Sequence, residues 1–230
     1  MVHKVEIREE IVERVIKRRA RYHIFDNFIP HETALLIIDM QPTFVAPNSP
    51  AEVPVSRGII KNINKLSKEL RKKGTAIFWI THANTTVNNV SDWGLFFEKF
   101  VAEDVRARTM KSLTPGGSDT LLWHELESES GDIHIFKNRY SALIPGSSSL
   151  ERILRSLGIK NIIIGGTKTN VCCEATGRDA MMMDFNTVMV SDCLAALSDE
   201  EHRASLETFI QQFGDVYNHK ETIEIVREIK

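Results

Sequence analysis

From Thr33 onward, short apolar runs alternate with stretches of helical periodicity, and this alternation constrains the fold more than any other feature of the chain. The strand candidates are residues 33–38 (TALLII), 75–80 (TAIFWI), 132–136 (DIHIF), 161–164 (NIII) and 187–190 (TVMV). They are apolar on both sides and rich in Ile, Val and aromatics, as strands covered on two faces must be. Helices are predicted over residues 58–73, 148–157, 172–183, 199–213 and 220–229, with a weak further strand at 215–217. The pattern implies an open, mostly parallel α/β sheet with helices on both faces.

The chain has 230 residues, enough for one well-buried core. Its formal net charge of −2 provides no basic field for nucleic acid or anionic lipid. No apolar run reaches the length of a membrane span, and the opening MVHKVEIREE has no signal-peptide core, so a cytoplasmic protein is expected. Cys172, Cys173 and Cys193 cannot build a paired secretory framework and lack zinc-type spacing. Residues 1–30 read as an N-terminal helical extension and 31–230 as the main domain. The helix, over residues 6–22, packs on the body or on a subunit neighbour, and its presence suggests a homo-oligomer. The long connections 41–54 and 83–118 carry Pro, Gly and Asn and are expected to shape a binding site.

Ligands of an open α/β sheet bind beyond the carboxyl ends of its strands. Applied here, that rule brings together Asp39, Thr81-His82, Lys137 and a Gly165-Gly166 turn that leads to Cys172. Alone, each residue has an ordinary structural role: a loop cap, a site-lining or core histidine, a solvated lysine, a small buried hydrophobe. Together they form a set suited to acyl transfer. A cysteine at a helix entry has its thiolate favoured by the dipole and by a nearby lysine, and a carboxylate can carry the proton.

The stretches TALLIIDMQPTF, FKNRYSAL and GGTKTNVCCEATGRDA resemble, in order, the three signature blocks of the isochorismatase-like cysteine hydrolases, a family that includes nicotinamidases, carbamoylsarcosine amidases and ureidoacrylate amidohydrolases. The resemblance spans roughly residues 33–217. It implies a three-layer Rossmann-like fold with a six-stranded, mostly parallel sheet flanked by helices. It also implies Asp39, Lys137 and Cys172 as catalytic residues, with Cys173 left to packing. The backbone N–H groups of Lys168 and Cys172 would form the oxyanion hole behind a cis peptide between Thr167 and Lys168.

Departures narrow the expected activity. The Asp-x-His of metal-dependent nicotinamidases is missing after the second strand, so neither a metal nor a cofactor is expected. Lys168 stands where relatives usually carry a small residue, and its side chain either meets an anionic substrate in the pocket or turns to solvent. Phe44, Trp79, Asn84 and Tyr140 are the candidate pocket wall, and Gln41 is expected to orient its loop. The expected function is cysteine-dependent hydrolysis of a C–N bond in a small amide, ureido or carbamoyl compound through a thioester. The alternatives are a hydrolase of a cyclic or aromatic amide and a non-catalytic binding protein of the same fold.

Overall fold

The computed structural model describes residues 2–88 and 90–228. In chain order it contains α1 (Glu9–Arg19), β1 (Thr33–Ile38), the short α2 (Pro42–Val45), α3 (Ser56–Lys72), β2 (Ala76–His82), and a small hairpin of β3 (Thr86–Val87) and β4 (Val90–Ser91). Then come α4 (Gly94–Lys99), α5 (Glu103–Ser112), β5 (Ile133–Lys137), α6 (Leu150–Ser156), β6 (Asn161–Thr167) and a π-helical turn at Thr169–Cys173. The chain closes with α7 (Glu174–Met182), β7 (Asn186–Ala195), α8 (Asp199–Gln212), β8 (Asp215–Tyr217) and α9 (His219–Ile225). Ile229, the expected end of the last helix, lies outside the described residues.

Six strands form one sheet in the order β5-β2-β1-β6-β7-β8, and every pairing is parallel. Side chains of successive strand residues point to opposite faces, which divides the core in two. Leu36, Ile38, Phe78, Ile80, Ile162 and Ile164 pack with α1, α6, α7 and α8. Leu35, Ile37, Ile77, Trp79, Ile163 and Val188 pack with α3 and α9. The result is the expected three-layer α/β arrangement. No helix among the described residues is long and apolar enough to cross a membrane.

The N-terminal segment is fastened to the body of its own chain. Ile11 and Val15 are buried in the core beside α8. Arg8 donates to both carboxylate oxygens of Glu207, and Arg19 pairs with the buried Asp215 at 2.7 Å. Of the two packing partners expected for this helix, the body of the same chain takes Ile11 and Val15, while Ile16 stays exposed.

Candidate active site

The carboxyl ends of β1, β2, β5 and β6 meet at one edge of the sheet. Ile38 is in register with Ile80 and Gly166, and His82 with Lys137. Gly166 permits this convergence. Its φ is +116°, and a Cβ there would stand 2.0 Å from the Ile38 carbonyl oxygen, so only glycine lets β6 run so close to the end of β1. The next residue on β1's path, Asp39, has a left-handed φ of 55° and donates its N–H to the Ile80 carbonyl at 2.7 Å. Such a conformation in a non-glycine residue is held by its surroundings and is concentrated at functional sites.

Asp39 and Lys137 are both fully buried, with Lys137 Nζ 2.9 Å from Asp39 Oδ2. The same ammonium donates to His82 Nδ1 at 3.2 Å and to the Arg139 carbonyl at 3.0 Å. The ammonium thus sits among a carboxylate, an imidazole nitrogen and a carbonyl. Because His82 Nδ1 accepts, the ring carries its proton on Nε2, which faces Asn84 Oδ1 at 2.8 Å. Burial, reinforced by the Lys137 charge, keeps His82 well below its ordinary pKa and neutral. Burial opposes the lysine's charge as well, but Asp39 and Cys172 outweigh it and hold the ammonium above its usual range. Burial also lifts the Asp39 carboxyl above the usual range, against the pull of Lys137 and the Cys172 thiol. Neither Asp39 oxygen takes a well-aligned hydrogen bond among the described residues, so an ion pair rather than a donor cage holds this carboxylate.

Cys172 lies in the π-turn, not in the first turn of the α-helix as expected; α7 begins only at Glu174. The Thr167–Lys168 peptide just before the turn is cis. The Lys168 carbonyl accepts the N–H groups of Val171 and Cys173, each at 3.2 Å, which curls the chain around the cysteine. Thr176 ties the turn to the loop after β5, donating its hydroxyl to the Cys172 carbonyl at 2.7 Å and accepting the Ala142 N–H at 3.2 Å. On its other side, Thr169 Oγ1 lies 2.8 Å from Nδ1 of the buried His202, whose ring stacks on that of His3. The thiol does not titrate as a helix entry suggests. Burial, and then the Asp39 charge, pushes Cys172 up to about 12 despite Lys137, so the resting group is a thiol.

A cavity of about 120 Å³ opens onto Cys172. Phe44 and Tyr140 line it, as expected from the sequence, and so does Lys168. Trp79 does not. It is fully buried in mid-strand on the α3 face, and its Nε1 reaches Asp132 Oδ2 at the amino end of β5, away from the site. Asn84 lies behind the wall, where it holds His82 and donates to Asp92 at 2.7 Å. Trp93 and Phe96, stacked at 4.7 Å, supply the aromatic wall instead. The run DWGLFF was the sequence's signal for them, concentrated aromatics in a connection with no core stripe. Gln41 orients its loop, as expected, accepting the His82 N–H and donating to the His82 and Asp119 carbonyls.

Asp39, His82 and Cys172 bring a carboxylate oxygen, a ring nitrogen and a sulfur within 4.8 Å of one another, a donor set that could hold a cation. The Lys137 ammonium already faces two of these three groups. A divalent ion placed there would meet a like charge at contact range, so the arrangement suits the lysine and not a metal.

Residues 33–221 match the Isochorismatase domain family. The ureidoacrylate amidohydrolase RutB of Klebsiella pneumoniae subsp. pneumoniae is 29% identical over 205 residues, covering 83% of this chain and 86% of that protein. The ureidoacrylate amidohydrolase RutB of Acinetobacter baylyi is 30% identical over 197 residues, covering 80% of each. Among solved structures, a cysteine hydrolase from Pseudomonas syringae pv. phaseolicola superposes with a TM-score of 0.77 at 27% identity, covering 86% of this chain and 93% of that one. With its domain match, its parallel six-stranded sheet and its signature blocks gathered at one strand edge, the chain belongs to the isochorismatase-like cysteine hydrolase family.

Proposed function

We propose that the protein is a cysteine amidohydrolase that cleaves a C–N bond in a small amide, ureido or carbamoyl compound. The observation that carries this reading is the juxtaposition of a cavity-lining thiol, a buried carboxylate of raised pKa and a fully engaged lysine. The ureidoacrylate amidohydrolases at 29–30% identity support the reaction class.

Asp39 takes the proton of Cys172 as the sulfur attacks the carbonyl carbon, and the carbonyl π electrons move onto oxygen. The N–H groups of Lys168 and Cys172 receive that oxyanion. Collapse expels ammonia or an amine, which leaves with the proton from Asp39, and a thioester remains. Asp39 then deprotonates water, which cleaves the thioester and restores the thiol. Lys137 keeps its charge throughout, so Asp39 cycles between its two forms beside a fixed cation. Three buried free thiols fit a reducing compartment, which supports the cytoplasmic reading.

The ureidoacrylate amidohydrolases among its relatives favour short ureido or carbamoyl substrates over aromatic amides. A screen for ammonia release over ureido, carbamoyl and carboxamide compounds tests the proposal. Turnover confined to short members of that panel is the expected result, and no release from any member counts against it.

The pH profile has a definite sign. Asp39 must be ionised to act, so kcat/KM falls as pH drops through its pKa, which burial has raised above the ordinary carboxylate range. No inflection is expected near the free-thiol value of about 8.5, because Cys172 stays protonated up to about 12. A rate that climbs through the free-thiol range would show a pre-formed thiolate and contradict the role given to Asp39.

A further inference from the structure

We propose that the Lys168 ammonium is the subsite for an anionic group, a carboxylate above all, on a short substrate whose scissile carbonyl reaches Cys172. The proposal rests on Cys172 being the reactive thiol of the site.

The charge distribution around the cavity carries the argument. Phe44, Leu113, Val171 and the Trp93–Phe96 stack make most of its wall apolar. Among the described residues no Asp or Glu lines it, and Lys168 is its one lining Lys or Arg. The other charges nearby are already answered. Lys137 faces Asp39 at 2.9 Å. Arg139 donates to the carbonyls of Asn138 and Asp92, and its guanidinium lies over the Trp93 ring. His82 is kept neutral, so it offers an approaching anion no charge. Lys168 alone, among the described residues at this cavity, has neither an ion-pair partner nor a hydrogen-bond acceptor for its ammonium.

A lone cation beside an apolar recess is a poor structural element and a good recognition element. It adds nothing to folding, and its attraction for an anion is less screened there than on an open surface. Its place at the site also fits. Lys168 and Cys172 line the same small cavity, so an anion met by the one and a carbonyl met by the other can belong to one small molecule. Compounds that carry a carboxylate a few bonds from an amide or ureido carbonyl meet both demands.

The test uses two alkylating probes of nearly equal size. Iodoacetate carries the anion and iodoacetamide does not. In both, the Cys172 sulfur forms a bond to the CH₂ carbon as iodide leaves, and the thiol proton passes to Asp39. Modification of Cys172 is followed by peptide mass spectrometry, and the iodoacetate-to-iodoacetamide rate ratio is normalised to that of a small free thiol. The wild-type ratio should exceed the free-thiol ratio by about tenfold. Lys168→Met should bring it to within about twofold, and Lys168→Glu should drive it below one. In the wild-type protein, raising the salt from about 0.05 M to about 1 M should shrink the preference, because ions screen the attraction. This arm needs no variant to fold.

Equal ratios in wild type and Lys168→Met, together with a salt-independent wild-type ratio, overturn the proposal and leave the nucleophile in place. No modification of Cys172 by either reagent overturns the nucleophile reading, and this proposal with it. The two failures are distinguishable in one experiment.

Discussion

Replacing Cys172 by alanine is expected to lower hydrolysis by roughly 10⁴-fold or more, the scale seen when a nucleophile is deleted from an intact site. Folding should change little, because the side chain is small and the ion pair beside it remains. Cys172→Ser should be nearly as inactive. A hydroxyl is far harder to deprotonate than a thiol, and Asp39 is only a carboxylate base. Cys173 serves as the internal control. It is fully buried, with its sulfur 3.9 Å from the Gly165 carbonyl and no place on the cavity wall. Cys173→Ala should therefore cost about 1 kcal/mol of packing and keep turnover. Steady-state rates of the three purified variants on any active compound from the screen decide the matter. Turnover by Cys172→Ala within tenfold of wild type would remove the nucleophile from the mechanism.

The sheet was legible because its signal is local. Residues 33–38 were expected as a strand, and β1 spans Thr33–Ile38, every side chain buried as a two-sided apolar run requires. The strand-end rule then placed Asp39, His82, Lys137 and Cys172 at one edge from order alone. The connection 83–118 was not legible. It holds α4, which buries only Phe97, and α5, which buries Thr109 and Ser112, so neither helix carries an apolar stripe for a periodicity search. Both are set by tertiary contact, and with them the wall formed by Trp93 and Phe96. Trp79 misled for the opposite reason. In a strand buried on both faces, composition does not tell which way an indole leans, and the bond to Asp132 decides it.

Charge was the least legible property. A cysteine at a helix entry beside a lysine suggests a lowered pKa, yet Cys172 is raised to about 12, because burial and the Asp39 charge exceed the lysine's help. Sequence reports which groups are neighbours and says little about how far they are dehydrated. The consequence for the chemistry is direct. The site holds a protonated sulfur beside a buried carboxylate, which is paired with the Lys137 ammonium at 2.9 Å. In the proposed mechanism, reactivity then comes from the transfer between Cys172 and Asp39, not from a standing thiolate.

Lys137 is where this arrangement is most exposed to mutation. Lys137→Met keeps the volume of the stem but removes the charge that answers Asp39 and the donor to His82 Nδ1 and the Arg139 carbonyl. Breaking a buried pair from one side costs about 3–5 kcal/mol, so the midpoint of urea unfolding at neutral pH should fall markedly. The loss should depend on pH. Without the cation, the folded-state pKa of Asp39 rises further above its unfolded value of 3.8. Below that unfolded value both states are protonated and the penalty is small. It grows as pH rises from there towards the folded pKa, because only the unfolded chain then releases the proton easily. Activity at neutral pH should fall with it, since a protonated Asp39 cannot take the proton of Cys172. The double variant Asp39→Asn/Lys137→Met removes both charges and should recover most of the stability, as neutral replacements of buried pairs do, while remaining inactive for want of the base. Wild-type stability in Lys137→Met across this pH range would mean that the 2.9 Å contact does not hold the carboxylate, and the fixed-cation account of the site would fail with it.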